Sequence, residues 1–261
     1  MTQQQIVETD VQIRTPDGTC DAAFMHPASG THPAVLIWAD AIGLRPAFRD
    51  MARRLAMEGY AVLVPNPYYR VAKAPIFESA ANFNFADPEQ RNKLGPLMGS
   101  IGAAGAAERD AVAFIAWLDE QRQVDRSKKV GVQGYCMGGS LAVRTAAAVP
   151  ARIGAAASFH GSRLVTATPD SPHLLAPSIK ARMYFGIAGS DDAQQPDAKT
   201  TLKEAFDAAK VPAEVEVYAQ AQHGWCMADM PKQANGSPVY SQGDADRAWG
   251  KLLALYTAAL A

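Results

Sequence analysis

Three shortages in this sequence each remove a class of function. Net charge is nearly absent: 25 Lys and Arg stand against 26 Asp and Glu, a formal charge of -1, so neither nucleic acid nor an anionic membrane surface is an expected partner. Cysteine is scarce and unpaired in number. The three residues, Cys20, Cys136 and Cys226, are too scattered for a disulfide framework or a zinc site and suit reduced thiols. No apolar run is long enough to span a bilayer. The start, Met1-Thr2-Gln3-Gln4-Gln5, has neither the basic opening nor the apolar core of a secretory leader, so a cytoplasmic location is expected. His-Glu-x-x-His, Walker and Gly-x-Gly-x-x-Gly patterns are also missing, so neither a metal nor an organic cofactor is expected. There is no internal repeat and no low-complexity tail.

What is present is enough apolar material for one large core, 48% of 261 residues, which fits a single domain over 1–261. Strand-like and helix-like segments alternate along it. Gln12 to Arg14 and Cys20 to Met25 flank the turn Thr15-Pro16-Asp17-Gly18 and predict an opening hairpin. Ala34–Trp38, Ala61–Val64, Val130–Gln133, Ile153–Phe159, Arg182–Ile187 and Glu214–Tyr218 read as further strands. Helical periodicity marks Phe48–Met57, Ala104–Gln121, Leu141–Val149, Asp197–Ala209 and Asp244–Leu260. In the second of these, Val112, Ile115, Ala116 and Leu118 are expected to face a core, with Glu108, Arg109, Asp119 and Glu120 facing water. The pattern predicts an α/β fold with a mostly parallel sheet of about eight strands and helices on both faces. The stretch 71–100 is long for a connection. It can form a cap over a pocket, or its Phe77, Phe83 and Phe85 can pack the excursion down.

The chemistry concentrates at Gly134-Tyr135-Cys136-Met137-Gly138-Gly139, between a predicted strand and a predicted helix. A residue on so sharp a turn projects above the sheet, and glycines are needed where side chains would collide with the flanking elements. This is where an α/β-hydrolase carries its nucleophile, here Cys136 in place of Ser. The adjacent helix N-terminus favours a thiolate, and the amide of Met137 supplies half of an oxyanion hole. Further along, Gly189-Ser190-Asp191-Asp192 follows one strand and Gln222-His223-Gly224 follows another, the order nucleophile, acid, histidine. His223 can take the thiol proton, and either Asp191 or Asp192 can orient its ring.

These residues resemble the dienelactone hydrolases, the cysteine-dependent branch of the α/β-hydrolase fold, over nearly the whole chain. The resemblance identifies Cys136 as the nucleophile within a Gly-x-Cys-x-Gly-Gly signature and His223 as the catalytic histidine. It favours Asp192 as the acid, because Gly189, Asp192 and Pro196 match the family's Gly-x-x-Asp loop with its later proline. It further implies that Asp40, within Ala39-Asp40-Ala41-Ile42-Gly43, stands where the family has a thiol-activating carboxylate, and that the amide of Ala41 completes the oxyanion hole. Arg70, in Pro67-Tyr68-Tyr69-Arg70, matches the family's carboxylate-binding arginine. A second arginine of the dienelactone hydrolases is replaced here by Met227, which favours a broader carboxylesterase over a dienelactone specialist. His160, at a strand end where the family has Tyr, is expected to contact substrate or to be a satisfied buried histidine. Tyr135 and Trp225 join the expected substrate-binding residues. The implied reaction is hydrolysis of a small-molecule ester or lactone through a thioester, in a monomer or small homo-oligomer. Two other classes remain open: a non-catalytic protein retaining the fold, and a redox sensor in which Cys226 resolves an oxidised Cys136.

Overall fold

Pro16 and Asp17 form a tight turn that pairs β1 (Ile6–Thr15) antiparallel with β2 (Gly18–Pro27), in register from Thr15↔Gly18 to Ile6↔Pro27. The hairpin is the edge of a larger sheet in this computed structural model, which describes residues 5–84 and 87–260. The other strands are the short apolar runs of the sequence: β3 (Ala34–Trp38), β4 (Ala61–Pro65), β5 (Val130–Tyr135), β6 (Ile153–Phe159), β7 (Arg182–Ala188) and β8 (Ala213–Tyr218). Among the described residues they form one eight-stranded sheet in the order β1-β2-β4-β3-β5-β6-β7-β8. β2 runs antiparallel to β4, and every later pairing is parallel. This is the expected α/β architecture.

Helices cover both faces because the strands are apolar on both. Leu36 and Trp38 of β3 face one core with α3 (Ala106–Glu120), α4 (Met137–Ala148) and α6 (Ala198–Ala208). Val35 and Ile37 point the other way, into a second core with α1 (Pro46–Met57) and α7 (Gln242–Leu260). That alternation is the period of a pleated strand, and runs apolar on both faces are the mark of a parallel sheet. No described helix is long and apolar enough to cross a membrane.

Two expectations need correction. The buried stripe of α3 is Ala107, Ala111, Phe114, Ile115 and Leu118; Val112 is 52% exposed and Ala116 is exposed as well. Positions spaced by three and four share a helix face, and 112 and 116 fall on the opposite one. The excursion 71–100 also contains a helix that periodicity does not reveal, α2 (Pro88–Gly102), started by the Asp87 side chain accepting from the Glu89 amide at 2.9 Å. Phe83 and Phe77 meet edge to face at 5.2 Å, and Phe83, Leu94, Leu97 and Ile101 pack into the core. Phe85 lies outside the described residues.

Because β3 and β5 to β8 are parallel, their C-terminal ends open on one edge of the sheet. The loops that follow them carry Asp40, Cys136, His160, Asp191 and His223 to that edge. In open α/β sheets the carboxyl ends of strands are where ligands bind.

Candidate active site

Cys136 occupies the turn from β5 into α4 with φ 53° and ψ -117°, a conformation few side-chain-bearing residues adopt. The glycines around it are steric necessities. A Cβ on Gly134 would stand 1.8 Å from the carbonyl oxygen of Gly138, and one on Gly138 would stand 2.3 Å from that of Trp38. The turn closes only because both are absent. Cys136 then sits at the cap of α4, and Met137, its first residue, has an amide with no hydrogen bond among the described residues. Such amides at a helix start point outward as donors.

The end of β7 leads into α5 (Gly189–Gln194). Asp191 Oδ2 lies 2.8 Å from His223 Nδ1, and the His223 amide donates to Ser190 Oγ at 2.9 Å. With Nδ1 committed to Asp191, the other edge of the His223 ring shares a cavity with Cys136, whose thiol favours the charged imidazole. Burial opposes charge on this imidazole, but the Asp191 bond and the Cys136 thiol outweigh it and push its pKa up to about 10. The surroundings of the ring therefore favour its charged form, with the Asp191 carboxylate as its hydrogen-bond acceptor. The carboxylate that meets His223 is Asp191 and not the expected Asp192, which is held by Lys199 Nζ at 2.7 and 2.8 Å. Neighbouring helical residues project about 100° apart, so in α5 only one of the pair can face His223.

Ala41, on the loop after β3, faces the thiol across a cavity of about 440 Å³ lined by Asp40, Ala41, Ile42, Cys136, His160, His223, Gly224, Met230, Pro231 and Val239. The Ile42 amide donates to Asp40 Oδ1 at 2.9 Å and the Gly43 amide to Asp40 O at 2.9 Å. The Ala41 amide between them has no partner among the described residues, and the Tyr68 hydroxyl pins the Ala41 carbonyl at 2.8 Å.

Asp40 lines this cavity, yet its carboxylate is turned to a residue that sequence reading overlooks. Arg45 is buried and donates to Asp40 Oδ1 and Oδ2 at 2.7 and 3.0 Å, and to Asp229 Oδ2 and Oδ1 at 2.7 and 2.9 Å. Despite burial, these carboxylates raise the pKa of the guanidinium further. Asp229 also accepts from the Ala80 amide at 3.0 Å, so one cation ties three segments together. Asp40, expected beside the thiol, lines the same cavity but has its carboxylate engaged by Arg45 and the Ile42 amide.

Three other expected substrate contacts fall elsewhere. Arg70 donates to both oxygens of Asp110, at 2.8 and 2.7 Å, and to Asp17 at 2.7 Å; it joins α3 to the hairpin turn and is outside the cavity lining. Tyr135 points to the opposite face of the sheet, where its hydroxyl accepts from Gln133 Nε2 at 2.9 Å and its ring stacks on Phe159 at 5.3 Å. Trp225 is fully buried behind His160, stacked on Tyr218 at 4.8 Å. His160 itself reaches the cavity. None of the described residues between 71 and 100 lines it; its outer wall comes from Met230, Pro231 and Val239.

The other thiols differ from Cys136. Cys20 is buried, with its pKa raised by desolvation. Cys226, whose pKa burial also raises, lines a separate cavity of about 490 Å³ between α1 and α7, shared with Tyr135, Phe159 and Trp249. Among the described residues no group of three or more His, Cys, Asp or Glu is placed to hold a metal ion.

Known proteins share this fold and sequence pattern. The sequence profile of the dienelactone hydrolase family matches residues 20–260. A carboxymethylenebutenolidase of Rhodococcus opacus is 28% identical over 221 residues, covering 82% of this chain and 79% of its own. Among solved structures, a dienelactone hydrolase-like promiscuous phosphotriesterase from metagenomic libraries superposes with TM-score 0.78 at 22% identity, covering 98% of this chain and 99% of the other. A dienelactone hydrolase from Anabaena variabilis gives 0.66 at 18% identity, covering 99% and 100%. With the profile spanning all but the first strand, the chain belongs to the dienelactone hydrolase family.

Proposed function

We propose that this enzyme hydrolyses an uncharged carboxylic ester or lactone through a thioester on Cys136. The observation that carries the reading is the set Asp191, His223 and Cys136, in which the carboxylate–imidazole bond is 2.8 Å and the imidazole shares one cavity with the thiol. The thiolate attacks the carbonyl carbon while the amides of Met137 and Ala41 stabilise the oxyanion. Collapse breaks the C–O bond, and the His223 cation gives its proton to the departing oxygen. Neutral His223 then takes a proton from water as that water attacks the thioester. The second collapse releases the carboxylic acid and returns the thiolate beside the imidazolium.

The cavity supports the uncharged substrate. Among the described residues its lining contains neither lysine nor arginine, and Ala41, Ile42, Met230, Pro231 and Val239 make most of it apolar. Next to it, one cation, Arg45, faces two carboxylates, Asp40 and Asp229, an excess of negative charge that disfavours an anionic acid portion. The redox reading loses its motive, since Cys226 opens to a different cavity from Cys136.

The test is a panel of p-nitrophenyl acetate, a neutral lactone and a dienelactone carboxylate with wild type and Cys136→Ala. The reading expects turnover of the two neutral substrates that vanishes in the variant. Turnover surviving Cys136→Ala sinks the thiol mechanism, and a preference for the dienelactone sinks the substrate assignment.

A further inference from the structure

Beside the thiol stands a second histidine that the proposed reaction does not use. His160 follows β6 in the left-handed region, φ 39°, held there by its own amide donating to the Gly186 carbonyl on β7 at 2.8 Å. Non-glycine residues enter that region at a cost and remain only where surroundings enforce it. The residue is 1% exposed. The Cys136 amide donates to His160 Nδ1 at 3.1 Å while also reaching the Phe159 carbonyl at 3.1 Å. Since an N–H donates, Nδ1 must present a lone pair, and the neutral ring carries its proton on Nε2. That nitrogen has no hydrogen-bond partner among the described residues.

The rest of the ring is gripped by aromatics. His223 stands edge to face against it at 4.9 Å and Trp225 at 5.2 Å, with Trp225 stacked in turn on Tyr218. A wall of rings therefore runs from β8 to the catalytic imidazole. The ionisable groups facing His160 are Cys136, His223 and Tyr135, the last at 5.8 Å. Burial and the His223 charge hold His160 well below the ordinary histidine range. Neutrality is also what the geometry demands. A proton on Nδ1 would set one donor against the Cys136 amide and a second cation against His223.

We propose that His160 is a positioning residue with two functions: its Nδ1 anchors the strained backbone of Cys136, and its ring buttresses His223 between Asp191 and the thiol. The proposal rests on the thioester reading for its consequence in catalysis, but the geometry is testable without any ester turning over.

Two substitutions separate the functions. His160→Asn keeps an acceptor where Nδ1 stands and deletes the ring; His160→Phe keeps a ring and deletes the acceptor. Each variant is assayed for the rate of Cys136 alkylation by iodoacetamide across pH, with the site assigned by mass spectrometry, for kcat and KM on p-nitrophenyl acetate, and for melting temperature. His160→Phe is expected to lower kcat by about 10- to 100-fold with KM within about 2-fold, and to displace the alkylation profile along the pH axis. His160→Asn is expected to restore the alkylation profile while kcat stays below wild type, because the buttress is missing. The proposal is overturned if both variants keep the wild-type profile and kcat, or if both lose them only in step with lost thermal stability. If wild type fails to hydrolyse the ester, the thioester reading falls alone, and the alkylation profiles still decide the role of His160.

Discussion

At the scale of single residues, the decisive contact is the one between the Asp191 carboxylate and His223. Asp191→Asn removes the charge that orients and stabilises the imidazolium, and should reduce kcat/KM by about 10²- to 10⁴-fold. Asp192→Asn only frees Lys199 at a half-exposed ion pair, so ester kinetics should stay within about 2-fold of wild type. Equal losses in the two variants would refute the assignment. His223 also links stability to pH. Its folded pKa of about 10 lies above the value near 6.5 expected for an unfolded histidine. The stabilisation is therefore complete below about pH 6.5 and lost as pH rises through about 10. Melting temperature should fall across that interval in wild type, and by less in Asp191→Asn. The order of the triad is legible in the sequence because glycine-framed loops follow apolar strands. The choice between adjacent aspartates is not, since it depends on the angle at which α5 leaves β7.

At the scale of elements, buried ion pairs fix loops and helices that sequence patterns leave unconnected. Arg70 is read naturally as a substrate ligand, because nothing in the chain announces that Asp110, on the buried side of α3, will claim it at 2.7 Å. Removing one partner strands a buried charge. Arg70→Met should destabilise the fold by about 3 kcal/mol in urea unfolding, while the ranking of neutral and anionic substrates per folded molecule stays unchanged; a selective loss of anionic turnover would restore the substrate-binding reading. Arg45, paired to Asp40 and Asp229, is the same kind of device nearer the site, and only the folded chain brings the two carboxylates together. Strands such as Ala61–Pro65 and Arg182–Ala188 are readable because each is a short apolar run that ends at proline or just before glycine. α2 is not, because Gly95, Pro96 and Gly99 interrupt its helical composition, and packing of Leu94, Leu97 and Ile101 supplies what local propensity withholds.

At the scale of the whole molecule, a parallel sheet collects five loops at one edge and lets residues from positions 40 to 223 meet there. The architecture follows from alternation of strands and helices, so it was evident before any contact was known. The cavity's character was not. Its outer wall, Met230, Pro231 and Val239, comes from an irregular segment, and the missing cation becomes apparent only once Arg70 is seen to point away. The central claim is that Cys136 becomes acylated during turnover. The most direct measurement is acid quench of wild type during p-nitrophenyl acetate hydrolysis, followed by peptide mass spectrometry. The account predicts one acetyl group on the peptide containing Cys136, accumulating before steady state and absent from Cys136→Ala. Steady turnover with no acetyl on that peptide, or with acetyl on another residue, would contradict it.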